Sequence, residues 1–276
     1  MFDSIAGDYD SLNHILSLDV DKIWRKKALK QIVDAPAPAR VLDLACGTGD
    51  FSIAIAKALS RSHKRVGTPI EAHVKAPAKA PVEAQVTSTG FVTGDSGKSD
   101  LMTKGHVTGV DLSEGMLAVM REKVAKAGLT EMISIEEGDG ENLRFPDNTF
   151  DRVTIAFGIR NFENREKGLR EMLRVLKPGG RLVILELSRP ENKIIRWFYD
   201  LYFLHILPKV GGKVSGDKAA YAYLPTSVAA FPGKKAFMAT MREAGFRTVT
   251  HKAFTLGICR MYTGEKIGKK AWHLNY

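Results

Sequence analysis

The residues best suited to chemistry lie in VLDLACGTGDFS, Val41–Ser52. Arg40–Ala45 is a short apolar run that reads as a parallel strand, and Asp50–Ser60 returns to helix. Between them, Gly47 and Gly49 let the backbone turn sharply and approach a ligand closely. The amides beyond the turn open a helix, whose N-terminus favours negative charge. A carboxylate fits there. Asp43, near the end of the strand, can engage an ammonium group, directly or through water. The turn therefore suits the amino-acid end of a ligand.

Two further strand ends carry acids. Asp111 closes HVTGVD, His106–Asp111, and a carboxylate there can accept both hydroxyls of a ribose. In dinucleotide folds it lies about 20 residues past the glycine turn. Here it lies much further on, and the stretch 61–105 accounts for the excess. The plainer reading is that Asp111 caps the helix beginning near Ser113. Gly138-Asp139-Gly140 follows a third strand, Ile133–Glu137. Asp139 can accept an adenine amino group while the Gly140 backbone reads the ring edge; an ordinary turn is the alternative. The third glycine of the dinucleotide pattern is missing, so no diphosphate cradle follows. Adenosine joined to an amino acid leaves S-adenosylmethionine as the expected cofactor.

These ends must be brought together by a sheet. Further strands are expected at Phe150–Phe157, Arg181–Leu187, Phe246–Lys252 and Leu256–Tyr262. Helices are expected within residues 2–35, from Ser113 to Ala127, over Glu163–Leu176 ahead of Pro178-Gly179-Gly180, and over Thr226–Ala244. The alternation implies an α/β fold, a mainly parallel seven-stranded sheet with helices on both faces. Residues 61–105, rich in Pro, Gly, Ser and alternating Ala and Lys, read as a flexible insertion.

Composition bounds the rest. The chain has 276 residues, 44% hydrophobic and 26% charged, which suits one soluble domain. No run reaches ~18 apolar residues, so no spanning helix is expected, and MFDSIAGDYD lacks the order of a signal peptide. The two cysteines, Cys46 and Cys259, form no metal pair and fit a reducing, cytoplasmic compartment; no metal is expected. A net charge of +10 can attract nucleic acid or an anionic membrane, or simply solvate the surface.

At this point the chain resembles the ubiquinone/menaquinone biosynthesis C-methyltransferase family. The matching segments are FDSIAGDYDSLNHILSLDVDKIWRKKAL, VLDLACGTGDFS, DLSEGML, FPDNTFDRVTIAFGIRNF, LRVLKPGGRLVILELSRP and YFLHILPKVG. They cover nearly everything outside 61–105 and the last dozen residues. The resemblance implies a Rossmann-like class I S-adenosylmethionine methyltransferase, one domain over 1–276 with a helical substrate cap from 2–35 and 190–225. It also implies that Thr48, Asp111, Asp139 and Gly140 contact the cofactor. Relatives often carry Ser where this chain has Ala156, which leaves a backbone contact only. They also lack the 61–105 insertion.

The implied substrate is a polyprenylated quinol, preferably demethylmenaquinol, with a benzoquinol precursor of ubiquinone as the alternative. Attack from a ring carbon requires a phenolate, so Arg160 in GIRN is the expected cationic stabiliser. His205 is the candidate base, and Tyr9 and Asn161 the ring-positioning residues. Residues 194–207, IIRWFYDLYFLHIL, can pack an isoprenoid tail or the core. A lipid-tailed substrate implies transient contact with the membrane surface, peripherally on its inner face. A homodimer is left open. Nucleic acid is not an expected partner: AFGIRNF replaces the polar-Pro-Pro-aromatic turn of base amino-methylation, and neither cysteine suits a C5 nucleophile. A noncatalytic cofactor-binding scaffold is the remaining rival.

Overall fold

The computed structural model describes residues 19–35, 38–66, 105–202 and 218–268. Its centre is a seven-stranded sheet of order β3-β2-β1-β4-β5-β7-β6. The strands are β1 Arg40–Leu44, β2 His106–Asp111, β3 Ile133–Glu137, β4 Phe150–Ala156, β5 Leu176–Leu187, β6 Arg247–Phe254 and β7 Cys259–Glu265. The pairings from β3 through β5 are parallel, and β7 is antiparallel to both its neighbours. Burial runs through the middle of β1, β2 and β4 without alternation, because both faces are covered.

Helices α1 Val20–Ile32, α2 Asp50–Val66 and α3 Glu114–Lys126 lie on one face. Trp24, Ile32, Phe51, Ile55, Leu117 and Met120 form its core with Val41 and Val107. On the other face pack α4 Arg165–Val175 and α7 Lys234–Glu243, through Leu169, Met172, Phe237 and Met241 against Leu42, Val153 and Leu182. Helices α5 Lys193–Leu201 and α6 Lys218–Ala230 complete the described set. Chain order reverses at β1, which pairs with β2 on one side and β4 on the other. A ligand crevice belongs outside the C-terminal ends of those strands.

Five expectations change. The helix foreseen over Thr226–Ala244 is two, broken at Phe231-Pro232-Gly233, because proline disfavours helical backbone at Phe231 and supplies no amide. Strand β5 begins at Leu176 rather than Arg181, and α4 stops at Val175. Pro178-Gly179-Gly180 bulges outward within β5, with Gly179 at φ 80° donating its amide to the Lys266 carbonyl at 2.7 Å. The last strand starts at Cys259, because Thr255–Gly257 forms a turn with all three residues at positive φ. Helix α2 continues to Val66, so 61–66 do not belong to the expected insertion; residues 67–104 lie outside the described residues. The helix foreseen within 2–35 is described from Val20 onward, and the rest of that segment lies outside. No helix among the described residues is long and apolar enough to cross a membrane.

Candidate active site

The turn after β1 is held by backbone. The Cys46 amide donates to the Val110 carbonyl at 3.1 Å, tying the ends of β1 and β2, and the Gly49 amide closes back on Cys46 at 3.0 Å. Gly47 and Gly49 take φ of 54° and 84°. Ala45 (φ 49°) and Phe157 (φ 63°) share this left-handed region, which costs a side-chain-bearing residue of order 1–3 kcal/mol. Both line one cleft, at the ends of adjacent strands β1 and β4. Gly158 makes their approach possible: a Cβ there would sit 2.4 Å from that of Ala45.

The cleft measures about 470 Å³ and is walled by the ends of β1 to β4, within the ~300–1,000 Å³ usual for a small-molecule site. Gly47, Asp111, Asp139, Gly140, Ala156 and Asn161 all line it. Asp111 is anchored at both oxygens: Oδ2 accepts the Gly47 amide at 2.8 Å and Oδ1 the Ser113 amide at 2.9 Å. These two bonds aim the carboxylate into the cleft that it lines. The helix cap is made by Ser113, whose Oγ accepts the Met116 amide, so capping is not what Asp111 is for. Asp139 is exposed, and its Oδ1 accepts the Glu141 amide at 2.8 Å. Gly140 is small for a packing reason. The Phe162 ring, also on the cleft wall, is wedged between Gly140 and Gly168, where a Cβ would meet it at 2.6 and 2.5 Å.

Three sequence candidates sit behind the wall rather than on it. Asp43 is buried, and its Oδ2 accepts the Ser52 hydroxyl at 2.6 Å. Burial pushes its carboxyl up to about 7, against the pull of Ser52 and Arg25 and with a small push from Asp111. Direct engagement of a ligand ammonium from inside the cleft is therefore corrected to support from beneath. Gly49 packs its backbone against Met120. Thr48 is buried, with Lys123 Nζ donating to its Oγ1 at 3.3 Å and also pairing with Asp50 at the start of α2.

Arg160, expected as a cationic phenolate stabiliser, stands behind the cleft lining and is paired. It lies in a short helical turn, Ile159–Asn161, just past β4, and is 9% exposed. Its Nη1 pairs with Glu186 Oε1 at 2.9 Å, and its amide donates to Glu186 Oε2 at 3.0 Å. Glu186, fully buried at the end of β5, also accepts the Leu187 amide at 2.8 Å. Arg160 Nη1 further donates to the Phe157 carbonyl, tying it to the strained turn. The guanidinium thus shares its charge with a buried carboxylate. Beside it, Asn161 accepts the Tyr223 hydroxyl of α6 on Oδ1 at 2.8 Å. Glu186 and Tyr223 went unnoticed as site residues; the only signal was Glu186 standing within LELS.

The outer wall reaches α1: Trp24 and Arg25 both pack on the Phe157 ring, at 6.2 and 5.7 Å. Tyr9 and His205 lie outside the described residues. Burial raises the thiols of Cys46 and Cys259 well above their ordinary range, which disfavours the thiolate form of both. No cluster of metal-binding side chains occurs among the described residues.

Comparison with known proteins follows the same lines. The profile of the ubiE/COQ5 methyltransferase family matches residues 1–266. The ubiquinone/menaquinone biosynthesis C-methyltransferase UbiE of Geobacter sulfurreducens is 43% identical over 266 residues, covering 96% of this chain and 87% of its own. The demethylmenaquinone methyltransferase of Bacteroides fragilis is 39% identical over 266 residues, covering 96% and 91%. Among solved structures, a SAM-dependent methyltransferase from Aquifex aeolicus shares the fold with a TM-score of 0.53 and 19% identity, covering 88% of this chain and 89% of its own. The chain belongs to the ubiE/COQ5 methyltransferase family.

Proposed function

We propose that this methyltransferase C-methylates a polyprenylated quinol, demethylmenaquinol to menaquinol, with S-adenosylmethionine as donor. The observation that carries the reading is the cleft itself, with doubly anchored Asp111 on one side and Asn161 on the other. The names of its relatives supply the quinone. The residues fit the donor: Asp111 for the ribose hydroxyls, Asp139 and the Gly140 backbone for the adenine, and the turn at Gly47–Thr48 for the amino-acid end. The Ala156 backbone borders the space between. What the donor supplies is an electrophilic methyl on a cationic sulfur.

The chain's own task is to make the ring carbon nucleophilic. A phenolic hydroxyl titrates near ~10, so its anion needs donors. Tyr223 occupies Asn161 Oδ1, which leaves the amide nitrogen to donate to a phenolate oxygen. Arg160, held by Glu186, adds a fixed dipole at the same end of β4. A phenol that gave its proton to solvent would carry density on the ring carbon; a bound donor would supply the methyl, its sulfur departing as a neutral thioether; the ring proton would then pass to solvent and the phenolate would take a proton back from solvent. Holding both reactants in one cleft lowers the entropic part of the barrier.

Turnover with methyl-labelled donor tests the reading. Label should enter reduced demethylmenaquinone. Label in the benzoquinol alone would shift the substrate to the ubiquinone precursor, a reading favoured by the double name of the Geobacter relative. Donor binding with no transfer to either quinol would mean a scaffold.

A further inference from the structure

Helix α5, KIIRWFYDL, is built inside out. Its inner face is Tyr199, which packs with Leu187, Leu224, Val228 and Ile258 beyond the end of β5. Its outer face is a stripe of Ile194, Trp197, Phe198 and Leu201, exposed by 71, 61, 60 and 39%. The spacing i, i+3, i+4, i+7 places all four on one side of the helix. Asn192 fixes the start of the helix by accepting the Ile194 and Ile195 amides. The stripe is thus ordered rather than frayed, and the Trp197 and Phe198 rings stack edge to face at 4.8 Å.

Several observations say what covers it. The exposed apolar surface is on the order of 400 Å², the size at which such patches are functional. Its charged surroundings are biased towards the positive. Lys193 lies one helical turn before Trp197, and Arg196 donates to the Pro190 and Glu191 carbonyls. The nearby acids each face basic groups, Asp200 with Arg189, and Glu191 with Lys234 and Arg260. The chain as a whole carries +10. An apolar stripe containing Trp, edged by cations, is the pattern of a helix lying in the headgroup region of an anionic bilayer. The placement suits this occupant too, since α5 follows the C-terminal end of β5, the same edge of the sheet as the cleft.

We infer that α5 is a membrane-docking helix: Ile194, Trp197, Phe198 and Leu201 enter the interface of a bilayer containing anionic phospholipid, with Lys193 and Arg196 against the headgroups. The inference stands on the helix and not on the identity of the quinol. Docking sets the cleft beside the lipid phase, so a lipid-tailed acceptor reaches it without crossing water.

The test uses the full chain and vesicles of phosphatidylcholine with phosphatidylglycerol, roughly three to one. Co-sedimentation should show binding that weakens with salt and is lost with pure phosphatidylcholine. The triple variant Ile194→Gln, Trp197→Gln, Phe198→Gln preserves net charge and uses a good helix former. It should bind at least ~10-fold more weakly, while keeping the wild-type melting temperature and donor affinity. The emission difference between wild type and Trp197→Phe should shift to the blue on vesicle addition and be quenched by brominated lipid. Equal binding by wild type and triple variant would overturn the proposal, as would wild type that ignores anionic vesicles. Conversion of a wild-type dimer to a monomer by the triple variant, with no vesicle binding by either, would assign the stripe to a second copy and overturn it as well.

Discussion

Asp43→Asn should make this protein more stable at pH 8 and leave it nearly unchanged at pH 4. Asp43 is fully buried under the glycine turn, and burial raises its carboxyl to about 7, against ~3.9 in an unfolded chain. Between those values the folded state binds one proton more than the unfolded state. Stability from this group is therefore fully present below about pH 4 and is lost as pH rises through 7. Three units at ~1.4 kcal/mol each give a loss of about 4 kcal/mol. Asparagine cannot ionise and still accepts the Ser52 hydroxyl, which donates at 2.6 Å in the wild type. Arg25 opposes the rise and Asp111 adds to it, so the difference between the two proteins isolates the group in its actual setting. Urea denaturation at pH 4 and pH 8 gives the measurement, with the gain at pH 8 expected to be several kcal/mol. Parallel pH profiles for the two proteins, or a variant less stable at both values, would refute the reasoning.

Asp111→Asn should lower donor affinity at least ~10-fold in isothermal calorimetry with the fold intact, because an amide nitrogen would face one of the two backbone amides that aim the carboxylate; unchanged affinity would remove Asp111 from the site. Arg160→Ala should lose about 3–5 kcal/mol by stranding Glu186 in the interior, so its activity must be compared with an Arg160→Met, Glu186→Met double variant. That double variant should regain most of the stability but not the turnover, and recovered turnover would make the pair purely structural. Tyr223→Phe should lower kcat with the KM for donor unchanged, since it frees Asn161 Oδ1 at a stability cost of about 1 kcal/mol. An unaltered kcat would show that Asn161 needs no orienting.

What the sequence discloses is whatever a short window determines. VLDLACGTGDFS announces a strand, a turn and a helix together, because glycine φ and strand burial are local properties. Asp111 and Asp139 are legible because they stand at or just past the ends of expected strands, and in this sheet strand ends converge. The broken helix was hidden because Phe231 continues the apolar period of its neighbours, and only Pro232 signals the interruption. Arg160 was legible as a residue of interest but not in its state. Its charge is paired by Glu186, 26 positions later, and nothing local says that β4 and β5 set the two side by side. Tyr223 is less visible still: its hydroxyl finds Asn161 62 positions back through the docking of α6, which no periodicity encodes.

The long separation between the glycine turn and Asp111 is resolved by register rather than by chain distance. Leu44 pairs with Val110 across β1 and β2, so the next residue of β2 necessarily falls beside the turn whatever stands between the strands in sequence. The Cys46 amide then closes on Val110, and the Gly47 amide on Asp111. Both bonds come from the turn and both end on β2. The same logic joins β1 to β4, where Leu44 pairs with Ile155 and the strained Ala45 packs against Gly158. Three strand ends are thereby locked by contacts of the turn and its neighbours before any ligand arrives. A Gly158 with a side chain would press on Ala45 and prise apart the β1 and β4 ends, so the glycine that matters most to the shape of the cleft lies outside the glycine turn.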